Sequence, residues 1–301
     1  MACSRRRFLE TVGGAAATAA LAPISHAQAP ARGLLIVDAQ VHLWKGHTPP
    51  AGNHRQVADF TPEQALTEMD AAGVHAAVIH PPGWDPTSNA LAIEAARAYP
   101  NRFAILGNFP LDRPESRTGI DRMKGQPGML GLRFVLNQPH QQAWLADGTL
   151  DWLWPAAERA GMPIALLGPG LLPAIARIAP RHPGLRLVID HFATPDRNWS
   201  NLPELVATAK FPNVALKATG APSYSNEPYP HRDIHGHIRR LYDAFGPERM
   251  FWGTDITRLR DTWRQCVTLF TEELSWLSVK DEELIMGGAL CRWLGWNLSA
   301  A

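Results

Sequence analysis

The sequence predicts a (β/α)8 barrel, in which a ring of eight parallel strands is surrounded by helices. Eight short apolar runs occur along the 301 residues, and a helical pattern follows each run. Most runs are continuously apolar, as expected of parallel strands buried on both faces. Their ends fall 24 to 38 residues apart, a spacing typical of successive βα units. The main alternative is an open doubly wound sheet, which normally has a glycine-rich phosphate turn after its first strand. Residues 38–42, Asp-Ala-Gln-Val-His, do not resemble such a turn.

The predicted strands share an apolar body and a polar or turn-forming end. They cover residues 34–42, 76–80, 103–109, 131–136, 163–167, 185–191, 214–218 and 250–255. The helices between them have recognisable boundaries. Thr61 and Gln64 form a capping box around Pro62, and Gly161 ends the helix over 149–160. Further helices are predicted over 88–99, from Pro203, from about residue 231 to 245, and over 257–277 and 280–296.

The N-terminus resembles a twin-arginine export signal. Arg5, Arg6 and Arg7 precede a mildly apolar stretch rich in Ala and Gly, followed by small residues suited to cleavage after Ala27. We therefore expect a signal peptide over residues 1–27, a single barrel domain over 33–297, folded export by the twin-arginine machinery, and a periplasmic mature protein. An uncleaved N-terminal anchor is the alternative.

Charge and cysteine content limit the partners of the mature chain. The full sequence has a net charge of +1 and no run of Lys or Arg in its body, so we expect no nucleic-acid partner. No apolar stretch is long enough to span a membrane, so we expect no membrane association after processing. Cys266 and Cys291 lack metal-ligand spacing and are expected to be buried thiols, although the sequence leaves their redox state open. The sequence also does not determine whether the protein forms a homo-oligomer.

Three predicted strand ends carry side chains suited to acid–base chemistry. Asp38, Gln40 and His42 are expected to form a polar row on one face of the first strand. At the end of the sixth strand, alternation directs His191 to the barrel mouth, and Asp190 is expected to pair with a loop or helix end. Asp255 follows Gly253 and Thr254 and is a candidate base or metal ligand, or an N-cap. A closed barrel would bring these ends together.

Four motifs in this order resemble the amidohydrolase-related family called amidohydrolase 2: residues 38–44 (DAQVHLW), 132–133 (LR), 188–191 (VIDH) and 252–255 (WGTD). The resemblance covers residues 33 to 297 and implies a (β/α)8 hydrolase. This family includes lactonases of sugar acids and pyrone dicarboxylates as well as decarboxylases. Its first strand commonly ends in His-x-His, which binds a divalent metal. Here Gln40 replaces the first histidine, and the fifth strand has no terminal histidine.

The resemblance leaves two cofactor states open. Either no metal is used, or one divalent ion such as zinc is held by His42, His191 and Asp255. In the favoured reaction, water opens a small carboxylated or polyhydroxylated lactone. Asp255 accepts the water proton, and His42 and His191 polarise the carbonyl. A metal-dependent decarboxylase and a non-catalytic periplasmic binding protein are the alternatives. The predicted substrate-binding residues are Arg133, Arg258, Lys217, His80 and Gln40; for Arg133, internal ion pairing is equally expected.

Overall fold

The computed structural model describes residues 33–193 and 197–298. The predicted signal peptide over 1–27 lies outside these residues. Within them, no helix is long and apolar enough to cross a membrane.

A single sheet of eight parallel strands forms a nearly closed barrel and confirms the predicted fold class. Each strand pairs with the next one in the sequence, so the spatial order is the chain order. The strands are β1 (Val37–Val41), β2 (Ala76–Ile79), β3 (Phe103–Gly107), β4 (Met129–Val135), β5 (Ile164–Leu167), β6 (Leu187–Ile189), β7 (Val214–Thr219) and β8 (Met250–Gly253).

Eleven helices are described; those between the strands cover the outer face of the sheet, and the last three follow β8. They are α1 (Pro62–Ala72), α2 (Ser88–Ala98), α3 (Gly119–Lys124), α4 (Pro139–Trp144), α5 (Leu153–Ala160), α6 (Leu171–Ile178), α7 (Leu202–Thr208), α8 (Arg232–Phe245), α9 (Trp263–Thr268), α10 (Val279–Glu283) and α11 (Ala289–Leu294). The capping box of Thr61 with Gln64 is present at the start of α1. The two long helices predicted after β8 are instead broken. Two π-helical turns, Leu269–Glu273 and Leu284–Gly288, interrupt them.

Two apolar layers hold the barrel together. The larger core lies between the sheet and the surrounding helices. A smaller cluster joins alternate strand side chains, including Val37, Val78, Val188 and Phe251, with residues of α11. Because strand side chains alternate between faces, this second cluster forms the inside of the barrel. His80, Asp190 and Lys217 lie two positions after the inner residues Val78, Val188 and Ala215, so on these strands the interior changes from apolar to polar toward the C-terminal end.

Hydrogen bonds to the Asp38 carboxylate close the seam between β1 and β8. Its carboxylate accepts from the backbone N–H of Thr254 at 2.9 Å, from the Thr254 hydroxyl at 2.5 Å and from Trp263 Nε1 at 2.9 Å. The Asp255 N–H also donates to the Gln40 carbonyl at 3.0 Å. Gly253 allows this close approach, because a Cβ there would lie 2.4 Å from the Thr219 methyl carbon and 3.0 Å from the Ala39 nitrogen. The seam therefore joins the two strands whose ends carry Gln40 and Asp255.

Candidate active site

His42, His191 and Asp255 converge at the C-terminal mouth of the barrel. The Nε2 atom of His42 lies 3.2 Å from Asp255 Oδ1, and that of His191 lies 3.7 Å from Asp255 Oδ2. All three residues are buried, with at most 6% of their surface exposed. The structure thus brings together the three side chains that the sequence placed at the ends of strands one, six and eight.

A bulge in β1 directs Gln40 and His42 into the barrel. Val37 pairs with Ala76, but the register shifts between Asp38 and Val41. Val37 and Ala39 therefore belong to the inner cluster, whereas Val41 belongs to the outer core. The extra residue reverses the alternation, as bulges do. The expected common face of Asp38, Gln40 and His42 is therefore wrong for Asp38, which points to the seam and to Trp263.

Left-handed backbone conformations aim the other two side chains. His191 has a φ of 51° and Asp255 a φ of 52°. Residues other than glycine rarely adopt this region, and such strain often marks functional positions. Because the chain turns at His191, both Asp190 and His191 point toward the barrel interior. Asp190 was expected to pair with a loop or helix end; it instead contacts Lys217 on β7 and Arg133 on β4.

Gln40 connects the two imidazoles. Its side-chain nitrogen lies 2.9 Å from His191 Nε2 and 3.3 Å from His42 Nε2. Its side-chain oxygen accepts a hydrogen bond from Lys217 Nζ at 2.6 Å. The other ring nitrogens face carbonyls: His42 Nδ1 lies 2.6 Å from His80 O, and His191 Nδ1 lies 3.4 Å from Thr219 O.

A network of buried charged side chains holds Gln40 on the side facing the barrel interior. Lys217 Nζ lies 2.7 Å from Asp190 Oδ1, and Arg133 Nε donates to Asp190 Oδ2 at 2.7 Å. Burial lowers the pKa of Lys217 to about 8, although Asp190 opposes the shift. Burial alone would raise the pKa of Asp190, but Lys217 and Arg133 lower it below its usual value. Lys217 is 1% exposed and therefore lies under the site rather than in the substrate cavity.

His80 also lies beneath the mouth. Its Nε2 atom is 3.0 Å from the Ala39 carbonyl and 3.3 Å from Lys217 Nζ, and the residue is fully buried. Burial and the nearby Lys217 ammonium hold the pKa of His80 well below its usual value. Neither His80 nor Lys217 lines the main cavity at the mouth. Their surroundings favour support of the site over direct substrate contact.

The electrostatics of the three central groups favour an ionised Asp255. Burial alone would raise the pKa of Asp255, but the adjacent imidazoles of His42 and His191 lower it far below its usual value. Burial lowers the pKa of His191 to about 4, although Asp255 opposes the shift. Asp255 Oδ1 is buried and accepts no hydrogen bond from the described residues. A carboxylate oxygen is therefore left with unused acceptor capacity beside the cavity.

The cavity above these groups has a volume of about 800 Å³. His191 and Asp255 lie in its wall, together with Arg258, Arg197 and Tyr224. Arg258 Nε lies 3.9 Å from Asp255 Oδ2, and its side chain is 47% exposed. It is the predicted substrate-binding residue that reaches this cavity. Arg133 instead lines a neighbouring depression at the ends of β3 and β4.

Several residues in or near the cavity wall were not predicted from the sequence. His54 lies on the loop between β1 and α1, packs with its ring centroid 4.9 Å from that of His42, and is 2.8 Å from the Thr257 hydroxyl. Burial lowers its pKa to about 3. Arg197 and Tyr224 also come from loops. These positions carry no strand-end signal in the sequence, and their approach depends on how the loops fold over the mouth.

The side chains do not form a fitting site for a divalent metal. Within the described residues, no group of three or more His, Cys, Asp or Glu side chains is arranged to hold an ion. The oxygen of Gln40, the atom that could bind a metal, accepts from the Lys217 ammonium, while its NH2 group faces the two Nε2 atoms. A cation would therefore meet donor hydrogens and a nearby positive charge.

The fold and the site define a (β/α)8 barrel with paired imidazoles and a carboxylate at its C-terminal mouth, the face where enzymes of this fold have their active sites. The family model for Amidohydrolase, Amidohydro_2, matches residues 37–288, and the chain belongs to this family. It is a hydrolase family, as the resemblance of the strand-end motifs predicted.

The chain is similar to the following three proteins. An L-fucono-1,5-lactonase from Burkholderia ambifaria is 27% identical over 234 residues, which cover 73% of this chain and 79% of that protein. An amidohydrolase from Burkholderia multivorans, solved with bound zinc, has a TM-score of 0.75 at 21% identity and covers 87% of this chain and 99% of its own. A 5-carboxyvanillate decarboxylase from Sphingomonas paucimobilis has a TM-score of 0.60 at 17% identity, with 87% and 99% covered. The two structures show the shared fold.

Proposed function

We propose that this protein hydrolyses a small lactone. The observation that carries the proposal is the buried Asp255 carboxylate, which lies in the wall of a cavity of about 800 Å³ and has one oxygen 3.2 Å from the imidazole nitrogen of His42. Such a group can accept a proton from a water that attacks a carbonyl carbon. The similarity to an L-fucono-1,5-lactonase supports a cyclic ester as the substrate.

In the proposed reaction, Asp255 and His42 act as a pair. Water adds to the lactone carbonyl carbon while its proton passes to Asp255 Oδ1. Because the pKa of Asp255 is lowered by its imidazole neighbours, the proton is more stable on an imidazole, and His42 Nε2 lies 3.2 Å away. The resulting imidazolium stabilises the oxyanion. When the ring C–O bond breaks, His42 returns the proton to the departing alkoxide, and a hydroxy acid is formed.

Cations at the mouth of the cavity favour a substrate with a carboxylate or several hydroxyls. Arg258 and Arg197 both line the cavity. A guanidinium can bind a carboxylate through two parallel hydrogen bonds or donate to hydroxyl oxygens. Holding the substrate in this way would place its carbonyl near Asp255, and orientation of this kind contributes substantially to rate.

A lactone screen tests the proposal. The purified protein, with residues 1–27 removed, is incubated with sugar-acid lactones such as L-fucono-1,5-lactone and with aromatic-derived lactones such as 2-pyrone-4,6-dicarboxylate, with and without a chelator. Acid release followed with a pH indicator is the expected result. Carbon dioxide release from an aromatic carboxylate would instead support a decarboxylase. Binding of a lactone without turnover would support a binding protein.

We also propose that the protein is exported. The paired arginines and the small residues before Ala27 support folded export to the periplasm with loss of residues 1–27. Mass spectrometry of the mature protein from a bacterial periplasmic fraction tests this, and a retained N-terminus in the cytoplasmic fraction would contradict it.

A further inference from the structure

The orientation of the Gln40 amide is determined by Lys217. An ammonium group has donors only, so the Gln40 atom 2.6 Å from Nζ must be the carbonyl oxygen. In the reversed orientation, two donor groups would face each other at that distance. Lys217 is itself held by Asp190 at 2.7 Å, and Asp190 by Arg133 at 2.7 Å. The Gln40 NH2 group therefore points at the imidazoles.

This orientation determines where the imidazole protons lie. The NH2 group has two hydrogens and faces two ring nitrogens, His191 Nε2 at 2.9 Å and His42 Nε2 at 3.3 Å. A ring nitrogen accepts a hydrogen bond only when it carries no proton. Each Nδ1 atom faces a backbone carbonyl, of Thr219 for His191 and of His80 for His42. A carbonyl accepts only, so for His191 both partners favour a proton on Nδ1. For His42 the partners disagree, because its Nε2 also lies 3.2 Å from the ionised Asp255 carboxylate, which accepts only.

The two imidazoles differ in how tightly Gln40 holds them. The contact with His191 is shorter by 0.4 Å, and burial further disfavours the charged form of His191 by lowering its pKa to about 4. His42 is nearer to Asp255, at 3.2 Å against 3.7 Å. The Nε2 atom of His191 is thus occupied by Gln40, whereas that of His42 lies closer to Asp255 than to Gln40.

We propose that Lys217 and Gln40 are positioning residues that hold His191 as the neutral tautomer with its proton on Nδ1, so that a proton taken up by Asp255 passes to His42. The part concerning His191 describes the protein without substrate and does not depend on the reaction. The direction of proton transfer rests on the proposed lactone hydrolysis. The relay consists of Arg133, Asp190, Lys217 and Gln40, and it ends at His191.

Nitrogen-15 NMR of histidine-labelled protein at pH 7 tests the assignment directly. The resonances of His191 are identified by their loss in a His191→Asn variant. In the unsubstituted protein we expect His191 to show a protonated Nδ1 and an unprotonated Nε2. A protonated Nε2 there would overturn the proposal, whether or not any lactone is hydrolysed.

Gln40→Glu is the informative substitution. The carboxylate keeps an acceptor for Lys217 but has no hydrogens to donate, so His191 Nε2 should gain a proton and lose its unprotonated signal. Gln126→Glu is the control, since Gln126 bonds the Arg122 carbonyl away from the site and should leave the His191 signals unchanged. An unchanged His191 spectrum in Gln40→Glu would overturn the role of Gln40.

A second variant covers the case in which Gln40→Glu does not fold. Asp190→Asn combined with Lys217→Met removes the buried ion pair as a unit and frees the Gln40 amide to rotate. We expect His191 to populate both neutral tautomers in this variant, with a fall in kcat larger than the change in KM. A single tautomer identical to that of the unsubstituted protein would show that Lys217 does not set the orientation.

Discussion

Replacing Asp255 by asparagine tests the proposed proton acceptor most directly. Asparagine keeps the shape of the side chain but removes its charge and its basicity. In the proposed transition state, a proton on His42 Nε2 lies 3.2 Å from Asp255 Oδ1. At an effective dielectric constant of about 20, two unit charges at this distance attract by about 5 kcal/mol. Part of this attraction is lost to rearrangement, and a net loss of about 4 kcal/mol corresponds to about 10³-fold in rate.

We therefore expect kcat of Asp255→Asn to fall about 10³-fold, within the range of about 10² to 10⁴ usual for general-base catalysis. KM should change little, because Arg258 and the cavity walls are intact. The assay is steady-state hydrolysis of whichever lactone the screen identifies. The matched control is Asp243→Asn, which removes an exposed carboxylate that pairs with Arg239 on the outer helix α8. Retention of more than about a tenth of kcat in Asp255→Asn would refute the base role.

The folded state should survive this substitution. Asp255 is a buried carboxylate with a left-handed φ and an oxygen without a hydrogen bond from the described residues. The neighbouring imidazoles nevertheless hold the pKa of Asp255 far below its usual value, so the ionised carboxylate stabilises the folded state at neutral pH. Urea unfolding of Asp255→Asn at pH 7 should therefore give a lower free energy of unfolding, in a transition that remains cooperative. An unchanged free energy of unfolding would show that the imidazoles do not stabilise the ionised Asp255.

Three further predictions concern residues around the base. Arg258→Met should raise KM about tenfold for carboxylated lactones and leave it nearly unchanged for uncharged ones; equal effects on both would contradict anion binding by Arg258. Lys217→Met should lower the free energy of unfolding by about 3 to 5 kcal/mol in urea titrations, because the buried Asp190 then keeps only Arg133 as a partner. The double variant Lys217→Met with Asp190→Asn should recover part of this loss. Burial raises the pKa of Asp38 in the folded state to about 6 from 3.8. Between these two pKa values the folded state therefore binds more protons than the unfolded state. The contribution of Asp38 to the free energy of unfolding is complete below about pH 4 and should fall by about 3 kcal/mol as the pH rises through 6. The difference in unfolding free energy between the unsubstituted protein and Asp38→Ala, measured from pH 4 to 8, should follow this trend.

The barrel could be predicted because its signal is repeated. Eight apolar runs at regular spacing each report a strand buried on both faces, and the parallel order follows from the helical patterns between them. Strand ends were predicted less well. For example, β6 contains only Leu187–Ile189, because the left-handed turn at His191 ends the strand early.

Site geometry was less predictable, because it depends on departures from regular structure. Simple alternation placed Asp38 beside Gln40 and His42, but the bulge in β1 separates it from them. Simple alternation also predicted that Asp190 points away from the barrel interior. The left-handed turn at His191 instead directs Asp190 inward, where it pairs with Lys217. Likewise, no local sequence pattern predicts that the loop carrying His54 folds back against His42.

The bulge in β1 has a consequence for any attempt to transplant or redesign this mouth. Side chains along a strand alternate between its two faces, so one inserted residue moves every later side chain to the opposite face. The inward orientation of Gln40 and His42 therefore depends on the number of residues before them rather than on their side-chain types. If these residues were copied onto a regular strand of another barrel, the side chains of Gln40 and His42 would point outward to the helices, even if every side chain of the site were copied. A functional graft must carry the extra residue as well, and deletion of Ala39 alone would misplace Gln40 and His42 without removing either of them.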